Sequence, residues 1–205
     1  MVDINRAVLD ELGAIRGKGS STATVNRYMA LVRTILRKAC NEWEWLDRGP
    51  KVGMHRDQEG RIRSLTRDEF ARLLDELPQH LADMAQFSVA SGLRQANVTG
   101  LQWKQISLER RHLWMSGAEH KNGRPHSVPL NQAAIDVLGL FKGDHLTHGF
   151  TCESIPIVQV STKFWRNALK RADIHNFRWH DLRHTLVTWH REARTPTHEL
   201  QRLGG

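Results

Sequence analysis

Towards the C-terminal end of the sequence, Leu182, Leu186, Trp189 and Ala193 recur at helical spacing within and after the stretch Trp179-His180-Asp181-Leu182-Arg183-His184-Thr185. A helix with such a stripe has to bury one side. His180 and Arg183 are three residues apart and so project from a common face of it. Any fold for this chain must therefore sink part of the helix into a core and leave an imidazole and a guanidinium at the edge. A guanidinium presents a planar fork of donors that fits two oxygens of a phosphate, and an imidazole can donate to it or move a proton.

Charge points the same way. The 205 residues hold 30 Lys+Arg against 22 Asp+Glu, a net charge of +8, with a pI near 10.1. The excess is divided about equally between residues 1–64 and 65–205. A polyanion touched by both parts explains this better than a basic tail on a neutral body, and nucleic acid is the first candidate. Two cysteines, Cys40 and Cys152, make no disulfide framework and fit a reducing, cytoplasmic setting. No apolar run reaches membrane-spanning length, Met1-Val2-Asp3-Ile4-Asn5-Arg6 does not open a signal peptide, and there is no internal repeat.

Residues 1–19 read as a short helix and a loose connection. Ser21 or Thr22 then caps a helix to about Trp43, with Val25, Met29, Val32, Leu36 and Ala39 as its apolar stripe and Tyr28 and Ile35 widening it. Arg27, Arg33, Arg37 and Lys38 lie on the opposite side, a candidate phosphate-tracking face. Residues 1–50 are thus expected to form one small helical domain and 51–64 a linker. The linker-like run Asp47 to Gly53 leads into it, and polar residues continue to about Ser64. A second domain, 65–205, opens at Leu65 with the capping-box sequence Thr66-Arg67-Asp68-Glu69. Helices are expected through Leu77 and up to Gly92, with Arg94 where a further short helix opens. Strand-like runs at 106–108, 112–115 and 126–130 follow, and Lys121 sits beside the Asn122-Gly123 turn of a hairpin. Helices from Asn131 and over 161–172 come next, the latter burying Phe164, Trp165, Ala168 and Leu169. Residues 143–157 read as irregular, and a last helix spans His198 to Leu203 before Gly204-Gly205. The fold class is mainly α with a small antiparallel β-sheet.

Ser91-Gly92-Leu93-Arg94, Lys121 on a hairpin and His180-Asp181-Leu182-Arg183-His184-Thr185, in this order and setting, closely resemble the tyrosine recombinase family, in particular phage-type integrases. Thr24-Val25-Asn26-Arg27-Tyr28, Trp43-Glu44-Trp45, Leu65-Thr66 and Val128-Pro129-Leu130 extend the likeness over about residues 20 to 205. The resemblance implies a tyrosine-recombinase catalytic domain preceded by part of a helical core-binding domain. It also implies DNA strand cleavage and rejoining without metal or nucleotide cofactor, on double-stranded DNA and with other recombinase protomers, in a bacterial or phage-encoded setting. Arg94 and Arg183 would stabilise transition-state charge, His180 would exchange a proton with an attacking phenol, and Lys121 would protonate the leaving oxygen.

Two departures stand out. Asn97 occupies a position where the family often has an acidic residue, and the sole tyrosine is Tyr28, expected to be core in the first domain. The chain is accordingly expected to bind DNA as a fragment truncated before the nucleophile, monomeric off DNA and unable to cleave by itself. Other readings are a non-catalytic DNA-binding module derived from a recombinase, a type IB topoisomerase, and a metal-dependent hydrolase using His180 and His184. The metal reading lacks a third ligand at a recognisable spacing and places Arg183 inside the pair. His184 is instead expected to be buried and hydrogen-bonded in its helix.

Overall fold

Side-chain caps start both helices of the N-terminal part. In a computed structural model of the chain, Asn5 accepts from the Val8 amide at 3.2 Å to open α1 (Arg6–Gly17). Ser21 accepts from the Thr24 amide at 3.3 Å to open α2 (Thr22–Asn41). The structure describes residues 4–56, 63–117 and 125–196, and the chain divides into two units, Met1–Arg61 and Ile62–Gly205.

In the first unit Leu9, Val25, Met29 and Leu36 form the core, with Val32, Leu46 and Val52 packed against it. Asn26 is buried, and its amide clasps the His55 main chain, donating to its carbonyl at 2.9 Å and accepting from its N–H at 2.8 Å. Tyr28 and Ile35, expected to widen the buried stripe, are 43% and 46% exposed. Two packed helices bury only a narrow seam, and those residues fall outside it. Tyr28 instead carries the Arg16 guanidinium over its ring, 4.9 Å from the centroid. The helix ends at Asn41 rather than Trp43, and Glu44 takes a positive φ of 53° soon after.

The second unit begins with the expected capping box. Thr66 accepts from the Glu69 amide and Glu69 accepts from the Thr66 amide, opening α3 (Arg67–Glu76). Pro78 precedes α4 (Gln79–Ser91), which is buried nearly all round, with Met84, Ala85 and Phe87 wholly inaccessible. Such a helix has to lie at the centre of its unit. Ser88 and Ser91 sit in that apolar setting by donating to the Met84 and Phe87 carbonyls at 2.8 and 2.7 Å. Gly92, at φ 70° and ψ 11°, ends α4 in the left-handed region.

After α5 (Gln95–Thr99), the strands β1 (Ile106–Ser107), β2 (His112–Met115) and β3 (His126–Pro129) form an antiparallel sheet in that order. Leu113 pairs with Val128 on the buried face. The helix α6 (Gln132–Leu140) is capped by Asn131 and packs on α4. Residues 143–157 are not wholly irregular, because β4 (Thr151–Cys152) and β5 (Ile155–Pro156) make a small hairpin. Glu153 and Ser154 supply its two positive-φ turn positions, at 52° and 62°. Neither residue is the Gly or Asn that signals such a turn, which hid it in the sequence.

In α7 (Thr162–Arg171) Trp165, Ala168 and Leu169 are buried as expected, whereas Phe164 is 53% exposed. Phe164 lies about 100° round the helix from Trp165, off the stripe. Trp165 packs against Trp179 at 4.7 Å between ring centroids and against Phe177 at 6.3 Å. Phe177 and Trp179 lead into α8 (Asp181–Glu192), which packs on α4. The expected hairpin tip at Lys121 and the helix His198 to Leu203 lie outside the described residues.

Leu65 is pinned to α8 through both of its main-chain groups. Its N–H donates to Thr185 Oγ1 at 3.1 Å, and its carbonyl accepts from Trp189 Nε1 at 2.9 Å. Thr185 is fully buried and its hydroxyl donates to the Asp181 carbonyl at 3.0 Å. Replacing Thr185 by Val keeps the shape and strands the Leu65 amide. T185V is expected to destabilise the unit by about 1–3 kcal/mol, the cost of an unsatisfied buried donor. A urea denaturation midpoint equal to that of the unsubstituted chain would contradict this.

Candidate phosphate-binding site

Three of the four residues singled out in the second unit converge, and the backbone explains how. Arg94 is the N-cap residue of α5, directly after the Gly92 turn, and its carbonyl accepts from the Asn97 and Val98 amides. His180 occupies the N-cap position of α8 and Arg183 lies in that helix's first turn. Asp181 helps to set this helix start. Its carboxylate accepts from the Arg178 amide at 2.8 Å and lies near the positive end of the helix dipole.

Arg183 is half-buried and donates from Nη1 to the Gly92 carbonyl at 2.8 Å. That bond joins α8 to the turn that carries Arg94. Burial first, and then the nearby Arg94 charge, push the Arg183 guanidinium below its ordinary value. A guanidinium stays charged at neutral pH even so. The like charges are held together at some cost, a sign of a site prepared for an anion. Among the described residues no carboxylate pairs with Arg94 or Arg183; the ion pairs there involve other side chains.

His180 lies at the exposed lip of this cluster. The His184 ring meets it edge-on, 5.6 Å between centroids at 86°. His184 is thus half-buried against a second imidazole rather than enclosed in the core as expected. Partial desolvation, followed by the His184 charge, lowers the His180 pKa from 6.5; Arg183 and Arg94 add to the effect and Asp181 opposes it. At neutral pH the ring is therefore largely neutral and able to take a proton.

Asn97 does not turn toward the arginines. Its amide donates to the Met115 sulfur at 3.4 Å, tying α5 to β2. Lys121 lies outside the described residues, so its position relative to the cluster is not described. Among the described residues no group of three His, Cys, Asp or Glu side chains is arranged to hold a metal ion. An apolar cavity of about 540 Å³ opens elsewhere in the unit, between Phe70, Leu74, Val89, Leu186 and Trp189. It holds neither arginine of the cluster, so the reactive candidate is marked by converging charge rather than by volume.

In the first unit Arg27, Arg33, Arg37 and Lys38 are all exposed. They do not share one face: Arg33 and Arg37 stand one turn apart, while Arg27 and Lys38 lie about 100° round α2. Arg33 and Arg37 line a groove of about 300 Å³ together with Arg48, Asn41 and Gly49. Lys38 is paired with Glu42 at 3.0 Å. Arg48 was missed in the sequence because it sits in an apparent linker; its place in the groove depends on how that segment folds back along α2. The Gly92 carbonyl was missed too, since no side chain announces it.

Comparison with known proteins adds to this geometry. The profile of the phage integrase family matches residues 63–205. The integrase of Salmonella phage P22 is 33% identical over 201 residues, covering 92% of this chain and 52% of that protein. A shufflon-specific DNA recombinase of Escherichia coli is 27% identical, covering 88% of this chain and 47% of that protein. The chain thus spans about half the length of these curated relatives. Among solved structures, a lambda integrase dimer bound to a COC′ core site superposes with a TM-score of 0.75 at 16% identity, covering 98% of this chain and 76% of that one. A lambda integrase tetramer bound to a Holliday junction gives 0.75 at 16% identity, with coverage of 98% and 62%.

The lowered pKa of His180 fixes a sign. An unfolded chain takes up that proton first, so this residue's contribution favours folding above pH 6.5 and loses ground as pH falls through it. The His180 ring is expected to titrate below 6.5 by NMR in anion-free buffer, and to move upward when phosphate is added. A midpoint at or above 6.5 without anion would contradict the described surroundings.

Proposed function

The chain belongs to the phage integrase family, and from that premise we propose that its second unit holds a DNA phosphodiester for site-specific recombination by tyrosine transesterification. The single observation that carries this reading is the pair of arginines from two separate elements, Arg183 bonded to the Gly92 carbonyl two residues before Arg94, uncompensated by carboxylate among the described residues.

In such a reaction a phenolate oxygen attacks the scissile phosphorus. The bond to the 5′-oxygen breaks, a 3′-phosphotyrosyl link forms and a 5′-hydroxyl is released. A hydroxyl from another strand later reverses the step. Negative charge accumulates on the non-bridging oxygens as the phosphorus becomes five-coordinate, and Arg94 and Arg183 are preorganised to meet it. His180, largely neutral, takes the phenol proton; Lys121 protonates the departing 5′-oxygen. No metal is assigned a role in this scheme.

The nucleophile is not assigned within these residues. Tyr28, the sole tyrosine, is in the first unit with Arg16 against its ring. A tyrosine hydroxyl from outside the 205 residues would complete the chemistry. The first unit is read as part of a core-binding domain that tracks backbone phosphates through Arg33, Arg37 and Arg48, with Arg27 and Lys38 on a neighbouring face. Double-stranded DNA and further recombinase protomers are the proposed partners, in the cytoplasm. Among the described residues no helix is long and apolar enough to cross a membrane.

Two measurements test this. R183A is expected to weaken pocket binding of inorganic phosphate by about tenfold or more, the loss of a charge-assisted contact, with little change in the circular dichroism spectrum. Unchanged phosphate affinity would remove Arg183 from the site. Incubation of the chain alone with a nicked duplex recombination site is expected to give no covalent protein–DNA species on a denaturing gel; a trapped adduct would overturn the assignment of the nucleophile.

A further inference from the structure

We propose that the main chain of Gly92 is the positioning element of this site: its left-handed turn aims a neutral carbonyl at Arg183 and delivers Arg94 to the same mouth two residues later. The inference rests on the phosphate-binding reading above and extends it to a residue with no side chain.

Three features of the turn support it. First, the conformation needs glycine. At φ 70° and ψ 11° a Cβ is strained, whereas glycine occupies this region freely. Second, the turn is held on both sides, so the direction of the carbonyl follows from the backbone angle. The Gly92 amide donates to the Ser88 carbonyl at 2.9 Å, Ser91 Oγ donates to the Phe87 carbonyl, and the Leu93 amide donates to Ser91 Oγ at 3.4 Å. The Leu93 side chain is buried, which anchors the exit from the turn.

Third, the acceptor is uncharged. A half-buried guanidinium needs a fixed partner to hold its fork in one orientation. A carboxylate would do so while cancelling the charge an anion has to meet. A carbonyl dipole fixes one N–H of Arg183 and leaves its charge, and its remaining donors, for the phosphate. Gly92 therefore acts through Arg183 and Arg94 and touches no reacting atom.

The test is a double-mutant cycle read by inorganic phosphate titration, followed through the His180 ring resonances. Gly92→Ala is expected to weaken phosphate binding by about tenfold, comparable to losing a charge-assisted hydrogen bond. Gly92→Asn, whose side chain tolerates the left-handed region, is expected to stay within about threefold of the unsubstituted chain. In an R183A background, Gly92→Ala is expected to cost less than it does in the unsubstituted chain, the loss through Arg183 being already made and only the effect on Arg94 remaining. Gly143→Ala imposes a positive-φ penalty at φ 101° in another turn, and should lower thermal stability while leaving affinity unchanged. If Gly92→Ala does not fold, Gly92→Ser takes its place in the cycle. Additive losses from Gly92→Ala and R183A, equal losses from Gly92→Asn and Gly92→Ala, or an unweakened Gly92→Ala would each overturn the inference. Absence of phosphate binding by the unsubstituted chain would overturn the functional reading itself, so the two failures are told apart.

Discussion

The bond from Arg183 Nη1 to the Gly92 carbonyl is the contact on which the site depends. It spans two elements far apart in sequence and sets the orientation of a half-buried cation. Two guanidinium groups repel, and neither has a carboxylate partner among the described residues. The surrounding packing has to hold them together. It does so through α4, buried nearly all round, whose C-terminal turn carries Arg94 and against which α8 lies.

The second unit's entry segment is fastened to the same helix that bears His180 and Arg183. Leu65 gives its N–H to Thr185 and its carbonyl to Trp189, while Arg63 bonds the Glu69 carboxylate that completes the α3 cap. Trp165 of α7 packs against Phe177 and Trp179 in the buried segment that leads into α8. A charged site at a protein edge is costly to preorganise, and the apolar packing behind it provides the rigidity.

Much of this was legible in the sequence, for identifiable reasons. The Thr66–Glu69 cap, the Gly92 stop and the caps at Ser21 and Asn131 are local signals with local outcomes. The grouping of Arg94, His180 and Arg183 was legible only through family resemblance, because no spacing rule brings residues 94 and 183 together. What escaped were features decided by tertiary packing or by the backbone: the exposure of Tyr28, Ile35 and Phe164, the Glu153–Ser154 hairpin, and the His184 ring against His180. An apolar stripe shows which residues can be buried, and the width of the neighbouring surface decides how many are.

The central claim is that Arg94, His180 and Arg183 form one receptor for a single phosphate group. Crystals of the chain grown with inorganic phosphate test it most directly. The account predicts one anion within hydrogen-bond distance of both guanidinium groups and facing the His180 ring, with Arg183 still bonded to the Gly92 carbonyl. Guanidinium groups pointing to separate surfaces, or phosphate bound only elsewhere, would contradict it.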